Sequence, residues 1–455
     1  MPFTEVRKGK RGERSIFKPS HQSCSSDYAS PKYIYVNRDG GLPNAWSGSE
    51  VWTEFKFPKE FGVVAGLNIA FDINNAGTTA ATILPTPLWL SRVEIYLGAD
   101  LLETIYADDQ LHETIGFRSY QSYDQINEVV NMSENYDLVP QSVPASVQSQ
   151  RWYLPLEGTM ITSVRPYVRG YNAVWRLRCY FATSIHIGTY ASTYPISLAE
   201  VQLIMEEANL PPEEQAAVAN AHKFGVVDSS FYTRQRQQEV LPLNSSNSAG
   251  TPLYLRSFKN KSAGLLVYTT RQSTQNGDRL RLLPLSTLQL QDSRGNKLTE
   301  ILRGDFLKPF TWSDHVDSPY TTYSQNLFTS DGVSEPHPSQ PHGANVYLLP
   351  FSSSFQDSVV RGCDFGTFQM TTQEKLMIVP DGSQIGGSED AILPPSRGYF
   401  ETAPVVYTND LEVSSATGGT GATGTAWQDT MTTCISYDLG HLIVSNGEHY
   451  VSYGS

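Results

Sequence analysis

Two-residue alternation of apolar and polar side chains is the dominant pattern along this chain. In LNIAFDI the residues Leu67, Ile69, Phe71 and Ile73 share one face while Asn68 and Asp72 share the other, as a strand with one buried side requires. AVWRLRCYF does the same, with Ala173, Trp175, Leu177, Cys179 and Phe181 inward against Arg176 and Arg178. The same reading predicts strands in VWTEFKF from Val51, GLLVYTT from Gly264, RLRLLPLSTLQL from Arg279, NVYLLPF from Asn345, EKLMIV from Glu374 and TCISY from Thr433. Clusters of Gly, Pro, Asn and Asp join most of them. Short strands punctuated in this way predict antiparallel sandwiches rather than alternating β-α units.

One stretch follows a different period. SLAEVQLIMEEANLPPEEQAAVANAHKFG opens with Ser197 and Glu200 at the spacing of a capping box, and Val201, Ile204, Met205 and Ala208 recur at helical intervals. Pro211, Pro212, Glu213 and Glu214 then restart a helix that Gly225 terminates. The pattern predicts a short helical connector over 196–226 that divides a β-rich chain into comparable halves. A further helix is predicted in DDQLHETIGFRSYQSYDQINEVV, from Asp108.

The halves resemble one another. LSRVEIYLGADLLETI, two strands turning at Gly98, starts at Leu90, and LSTLQLQDSRGNKLTEI starts 195 residues later at Leu285. Val93 and Ile95 match Leu288 and Leu290 in phase, and after one extra residue in the second turn Leu102 and Ile105 match Leu298 and Ile301. YLPL and LLPF, around Pro155 and Pro350, are also 195 apart, and GLNIAF from Gly66 precedes GLLVYT from Gly264 by 198. Three matches in one order at nearly one spacing predict two copies of a β-domain of about 200 residues. The expected division is an N-terminal basic arm and lead-in over 1–50, a first sandwich over 51–195, the connector over 196–226 and a second sandwich over 227–455.

Composition narrows the function. The chain has 455 residues, 39% hydrophobic and 11% aromatic, with 25 Tyr and only 17% charged residues, below the roughly 25% of ordinary soluble domains. Such a surface suits wide contacts with protein. A net charge of -13 opposes sequence-specific nucleic-acid binding, which needs a concentrated positive field. The N-terminus runs the other way: Arg7, Lys8, Lys10, Arg11, Arg14 and Lys18 face only Glu5 and Glu13. They form a candidate contact for an anionic membrane or genome, with a solvated arm as the plain alternative. No apolar run approaches a signal sequence or a bilayer span, so synthesis in the cytoplasm is expected. Cys24, Cys179, Cys363 and Cys434 are widely spaced and are expected to be reduced.

Enzymatic chemistry finds few starting residues. GxSxG, P-loop, HExxH and GxGxxG motifs are absent. His186, in SIHIG, has no histidine two residues away and reads as structural. His315, His337 and His342, beside Asp314 and Asp317, sit at spacings that fix no metal geometry. Asp108 with Asp109, and Glu206 with Glu207, are neighbours whose side chains diverge, whereas glycoside cleavage needs carboxylates facing across a cleft. Among Trp46, Trp52, Trp89, Trp152, Trp175, Trp312 and Trp427, the strand positions of Trp89 and Trp175 read as core or interface anchors rather than sugar platforms. No catalytic residue, cofactor or metal is expected. The alternative function is a carbohydrate-binding or carbohydrate-cleaving protein of two sandwiches.

PLWLSRVEIYLGADLLETI, together with NVYLLPFSSSFQDSVVRGCDFGTFQMTTQEKLMIV in the second half, resembles the double-jelly-roll major capsid proteins of tailless, often membrane-containing, icosahedral double-stranded DNA viruses. The resemblance runs from about Val51 to the C-terminus. It implies an all-β fold of two tandem jelly-roll sandwiches and a homotrimer of pseudo-hexagonal outline that tiles a virion shell. Minor capsid proteins are then implied as further partners. Arg7 to Lys18 would lie on the inner face, toward membrane or genome.

Overall fold

The computed structural model describes residues 32–110, 141–303, 346–351, 363–364, 374–380, 426–427 and 430–453, apart from 79–80, 85, 157–159, 187–195, 242, 245–249, 259, 272–284 and 293. Among the described residues, two four-stranded sheets of the first half are built from β1 (Lys32–Asn37), β2 (Trp52–Lys56), β3 (Val64–Asn75), β4 (Leu90–Leu97), β5 (Asp100–Tyr106), β6 (Val147–Pro155), β7 (Trp175–Phe181) and β8 (Ile196–Glu207), beside a small pair formed by Ala81–Ile83 and Gln141–Val143. The two four-stranded sheets are antiparallel and ordered β1-β8-β3-β6 and β2-β7-β4-β5. The second half uses β9 (Val226–Val240), β10 (Thr251–Tyr254), β11 (Lys261–Arg271), β12 (Leu285–Gln291), β13 (Leu302–Arg303), β14 (Val346–Pro350), β15 (Lys375–Pro380) and β16 (Thr430–Ser445). Its sheets run β9-β16-β11-β14 and β10-β15-β12-β13. Each order is the first plus eight, so the two halves share one jelly-roll topology. A final strand, β17 (Glu448–Tyr453), turns back along β16.

The alternation dictates the layers. Along β7 the inward set Trp175, Leu177, Cys179 and Phe181 is fully buried, and it faces Leu67, Ile69, Phe71 and Ile73 of β3 across one core. Trp89 centres that core, 5.5 Å from Trp46 and Phe71 and 5.2 Å from Trp152. The second sandwich closes a separate core on Leu265, Val267, Leu288, Leu290, Leu376, Ile378 and Cys434.

Duplication extends to an irregularity. In β4 the ladder to β7 steps from Leu90↔Phe181 to Arg92↔Tyr180, leaving Ser91 as a bulge. In β12 the ladder to β15 steps from Leu285↔Pro380 to Thr287↔Val379, leaving Ser286. A bulge at the same point in both copies is a feature of the unit. The first hairpin turns at Gly98, whose φ of 62° suits glycine, and the longer second turn uses Gly295 at φ 85°. The ladders shift two of the letter matches. Ile105 aligns with Leu302 rather than Ile301, since Val93↔Ile105 corresponds to Leu288↔Leu302. Asn68, opposite Pro155, aligns with Gly264, opposite Pro350, two residues from the match by letters and on the same face.

The helical reading of 196–207 is overturned. Ile196–Glu207 is strand β8, with Leu198, Val201, Leu203 and Met205 facing the core, and its partners are β1 and β3. Ladder bonds to β1 on one side and to the twelve-residue, apolar-faced β3 on the other, with the burial β3 brings, outweigh a capping box. Within 196–226 the helix is confined to α2 (Pro212–Phe224), with Pro212 in its first turn and Glu213 and Glu214 near its positive end. The lead-in contributes β1, an edge strand of the first sandwich. The helix expected from Asp108 begins at residues 107–110, and its remainder lies outside the described residues.

Candidate functional site

The sandwiches meet along a polar seam lined by β5 and β9. Glu103 of β5 is buried, accepts a hydrogen bond from the Met160 backbone N–H at 2.7 Å, and pairs with the Arg234 guanidinium of β9. Met160 begins the short helix α1 (Met160–Val164). Two residues along β9, the Arg236 guanidinium lies 3.2 Å from the Asp109 carboxylate and 4.4 Å over the Tyr106 ring. Asp109 also accepts from the Tyr268 hydroxyl of β11 at 2.7 Å. Burial raises the Tyr268 pKa well above its usual value, reinforced by Asp109 and Asp108. Burial opposes the charge on Arg236, but Asp109, Tyr268 and Asp108 outweigh it and its pKa is raised.

Apolar and polar contacts flank this network. Phe231, Leu442 and Val444 of the second half are buried in the first core cluster. The β16–β17 hairpin crosses onto the first sandwich: the Tyr453 hydroxyl donates to the Leu102 carbonyl at 3.2 Å, His449 lies 2.9 Å from Asp100, and Asn172 Nδ2 donates to Glu448 at 2.9 Å. Helix α2 seats Val218 and His222, with His222 between Tyr167 and Tyr171 at ring distances of 5.4 and 5.8 Å. Apolar burial supplies the stability. The ion pairs supply orientation, because a tilted seam would strand Glu103 or Asp109 in the interior without a cation.

Few of the residues singled out in the sequence enter this seam. Asp108 and Asp109 do. Glu206 and Glu207 diverge as expected, Glu207 accepting from the Gly62 N–H at 2.7 Å and pairing with Lys32 at 3.2 Å. His186 is buried, and burial holds its imidazole down to about 4, so it is neutral. Cys179 and Cys434 are free and buried, which pushes both thiols up. Trp89 and Trp175 are core residues, whereas Trp52 is half exposed above the Arg178 guanidinium at 4.5 Å. Arg178 and Arg176 both pair with Glu54 on that outer face, at 2.9 and 3.5 Å. Arg7, Lys8, Lys10, Arg11, Arg14 and Lys18 lie outside the described residues, as do His315, His337, His342 and their neighbouring aspartates. Among the described residues no group of three His, Cys, Asp or Glu side chains could hold a metal, and no helix is long and apolar enough to cross a membrane. Sequence reasoning missed Arg234 and Arg236. Their signal was present in TRQRQ, two cations at strand period on one face.

Sandwiches of this topology, joined head to tail in one chain, define the double jelly roll, and solved structures of that fold match nearly the whole molecule. The VP54 protein of PBCV-1, fitted into a reconstruction of the virophage Sputnik, is similar with a TM-score of 0.65 at 12% identity, covering 97% of this chain and 100% of that one. A quasi-atomic model of the PBCV-1 virus capsid gives 0.63 at 12% identity, with the same coverage. The Sputnik virophage structure gives 0.52 at 9% identity over 97% of this chain and 93% of that one. At such identities the likeness is one of fold. No protein-family model and no curated protein sequence matches the chain.

Proposed function

We propose that the chain is a major capsid protein whose work is self-association: three copies form a pseudo-hexagonal capsomer, and capsomers tile an icosahedral virion shell. The observation that carries this reading is the duplication itself, two jelly rolls of one topology fixed side by side by a buried seam. A trimer of doubled sandwiches presents six similar faces, so a few kinds of contact cover a closed surface. The near-complete two-way coverage against structures of a virus capsid supports it. No catalytic residue is needed for that role. On the same reading Arg7, Lys8, Lys10, Arg11, Arg14 and Lys18 meet an anionic membrane or genome on the inner face, and minor capsid proteins bind the assembled lattice.

Mass photometry of the purified full chain tests the core of this proposal. A dominant species at three times the 50.5 kDa chain mass, with hexagonal outline in negative stain, is expected. A monomer that binds glycans would overturn it in favour of the carbohydrate-binding alternative.

A further inference from the structure

The two copies of the sandwich can be compared row by row, because the bulges at Ser91 and Ser286 fix one register for both. Ile95↔Leu177 corresponds to Leu290↔Leu376, all buried core residues, and Tyr96↔Arg176 corresponds to Gln291↔Lys375. The next row of the first copy is Leu97↔Trp175, fully buried on both sides. One step further along the second ladder stand Asp292 and Glu374. Period two puts them on the core face, in line with Leu290 and Leu376. The second copy therefore has two carboxylates where the first closes its core with leucine and tryptophan.

Glu374 is only 1% exposed. Its backbone carbonyl accepts from the Leu255 N–H at 2.9 Å, which extends the ladder between β10 and β15 by one step. Its two carboxylate oxygens are buried without a hydrogen-bond partner among the described residues. Burial raises its pKa, its own backbone N–H works against that, and the charge of Asp292 raises it further. Asp292 is partly open to solvent and is held in its charged form. Asn296 donates to it from the backbone N–H and from Nδ2, each at 2.7 Å. Burial opposes that charge, but these bonds and the Arg294 backbone outweigh it, and the Asp292 pKa is lowered.

Like charges directly opposed on neighbouring strands repel, and a carboxylate buried without a partner is strongly unfavourable. A positive ion relieves both. The donors here are oxygens only: two carboxylates, with main-chain carbonyls and water to complete the shell. Such a set suits calcium, which takes six to eight oxygens in flexible geometry, and not the imidazole and thiolate sites of zinc. The way in is the solvent side of Asp292.

We propose that Asp292 and Glu374 bind a calcium ion at the end of the second core, in the row that Leu97 and Trp175 close in the first. The ion ties the β12–β13 turn to the start of β15. It needs no second chain, so this site and the capsid reading stand or fall separately.

Scanning calorimetry of the full chain, stripped with EDTA and dialysed, tests the site with CaCl2 as the probe. Calcium at about 10 mM, an excess over even weak protein sites, is expected to raise the melting temperature by about 2–4 °C. Glu374→Gln and Asp292→Asn should each abolish that rise. Metal-free Glu374→Gln should melt no lower than metal-free wild type, because it loses a buried charge and no bond. Terbium luminescence excited through the aromatic residues, displaced by calcium in wild type and lost in both variants, locates the ion independently. A calcium-induced rise that persists in both variants puts the ion elsewhere and overturns the site. Metal-free Glu374→Gln melting well below wild type would give the carboxylate a structural partner and overturn it too. Indifference of the wild type to calcium also overturns it, and a melting temperature that then rises on acidification in wild type but not in Glu374→Gln would assign the row to a proton.

Discussion

Glu103 and Arg234 show how a single buried pair controls the arrangement of two domains. Glu103 has no exposed side-chain surface and Arg234 very little, so removing either leaves the other charge in a medium that cannot solvate it. Arg234→Met is expected to cost about 3–5 kcal/mol, while the double change Arg234→Met with Glu103→Leu should cost far less. Urea melts of the three variants followed by circular dichroism check this; equal losses in single and double variants would deny the pair its role. Protonation sets a second residue-scale expectation. Burial holds the His186 imidazole down to about 4 and lowers that of His222, against an unfolded value of about 6.5. The unfolded chain takes up protons in that window that the folded chain refuses, so stability present above about pH 6.5 is lost as pH falls toward 4. Asp438 works in the opposite sense. Burial raises its carboxyl to about 6, so its contribution is complete below its unfolded value and fades as pH rises through 6. Melting temperature measured between about pH 4 and 7 should therefore fall on acidification, less steeply in His186→Gln and more steeply in Asp438→Asn.

At the scale of elements, strand pairing leaves little room at one crossing of the seam. Phe231 of β9 lies opposite Gly440 of β16, and a Cβ at 440 would sit 2.7 Å from the Phe231 ring. Gly440→Ala should destabilise the chain by about 1–3 kcal/mol, with partial relief in Gly440→Ala combined with Phe231→Leu; thermal melts of the single and double variants decide it. Strands with one buried face were legible in the sequence because period two leaves only one assignment of residues to faces. Ile95 and Leu177, both fully buried and directly opposed, follow from it. β8 was misread for a physical reason. Its outward-facing Ile204 is also buried, which adds an apolar residue off the strand phase, so Val201, Ile204 and Met205 imitate a helical stripe. The polar seam was not legible because Glu103, Asp109, Arg234 and Arg236 look like surface charges until the sandwiches are brought together.

At the scale of the whole molecule, the duplication creates an asymmetry that a single sandwich would lack. One outer sheet face is an apolar, buried cluster, while its copy buries Ala70 and Ile204 among Asp72, Arg151 and Gln202 and carries two exposed tyrosines at its edge. The internal seam fixes the angle between the two sandwiches, and the β16–β17 hairpin is the strap that spans it. Its bonds from Tyr453, Glu448 and the backbone carbonyl of Gly447 all reach the first sandwich. Truncating the chain after Asn446 removes β17 and uncovers the edge of β16 from Gly440 to Ser445. Hydrogen exchange should then accelerate at Asn172, whose amide loses the Gly447 carbonyl, and at 440–445, which lose their ladder to β17, and remain slow in β12 and β15, whose core makes no use of the strap. Exchange that rises equally in both places would mean that the two cores unfold as one unit, with the seam as part of their common stability. Exchange that rises nowhere would mean that Phe231, Leu442 and Val444 hold the angle without the strap.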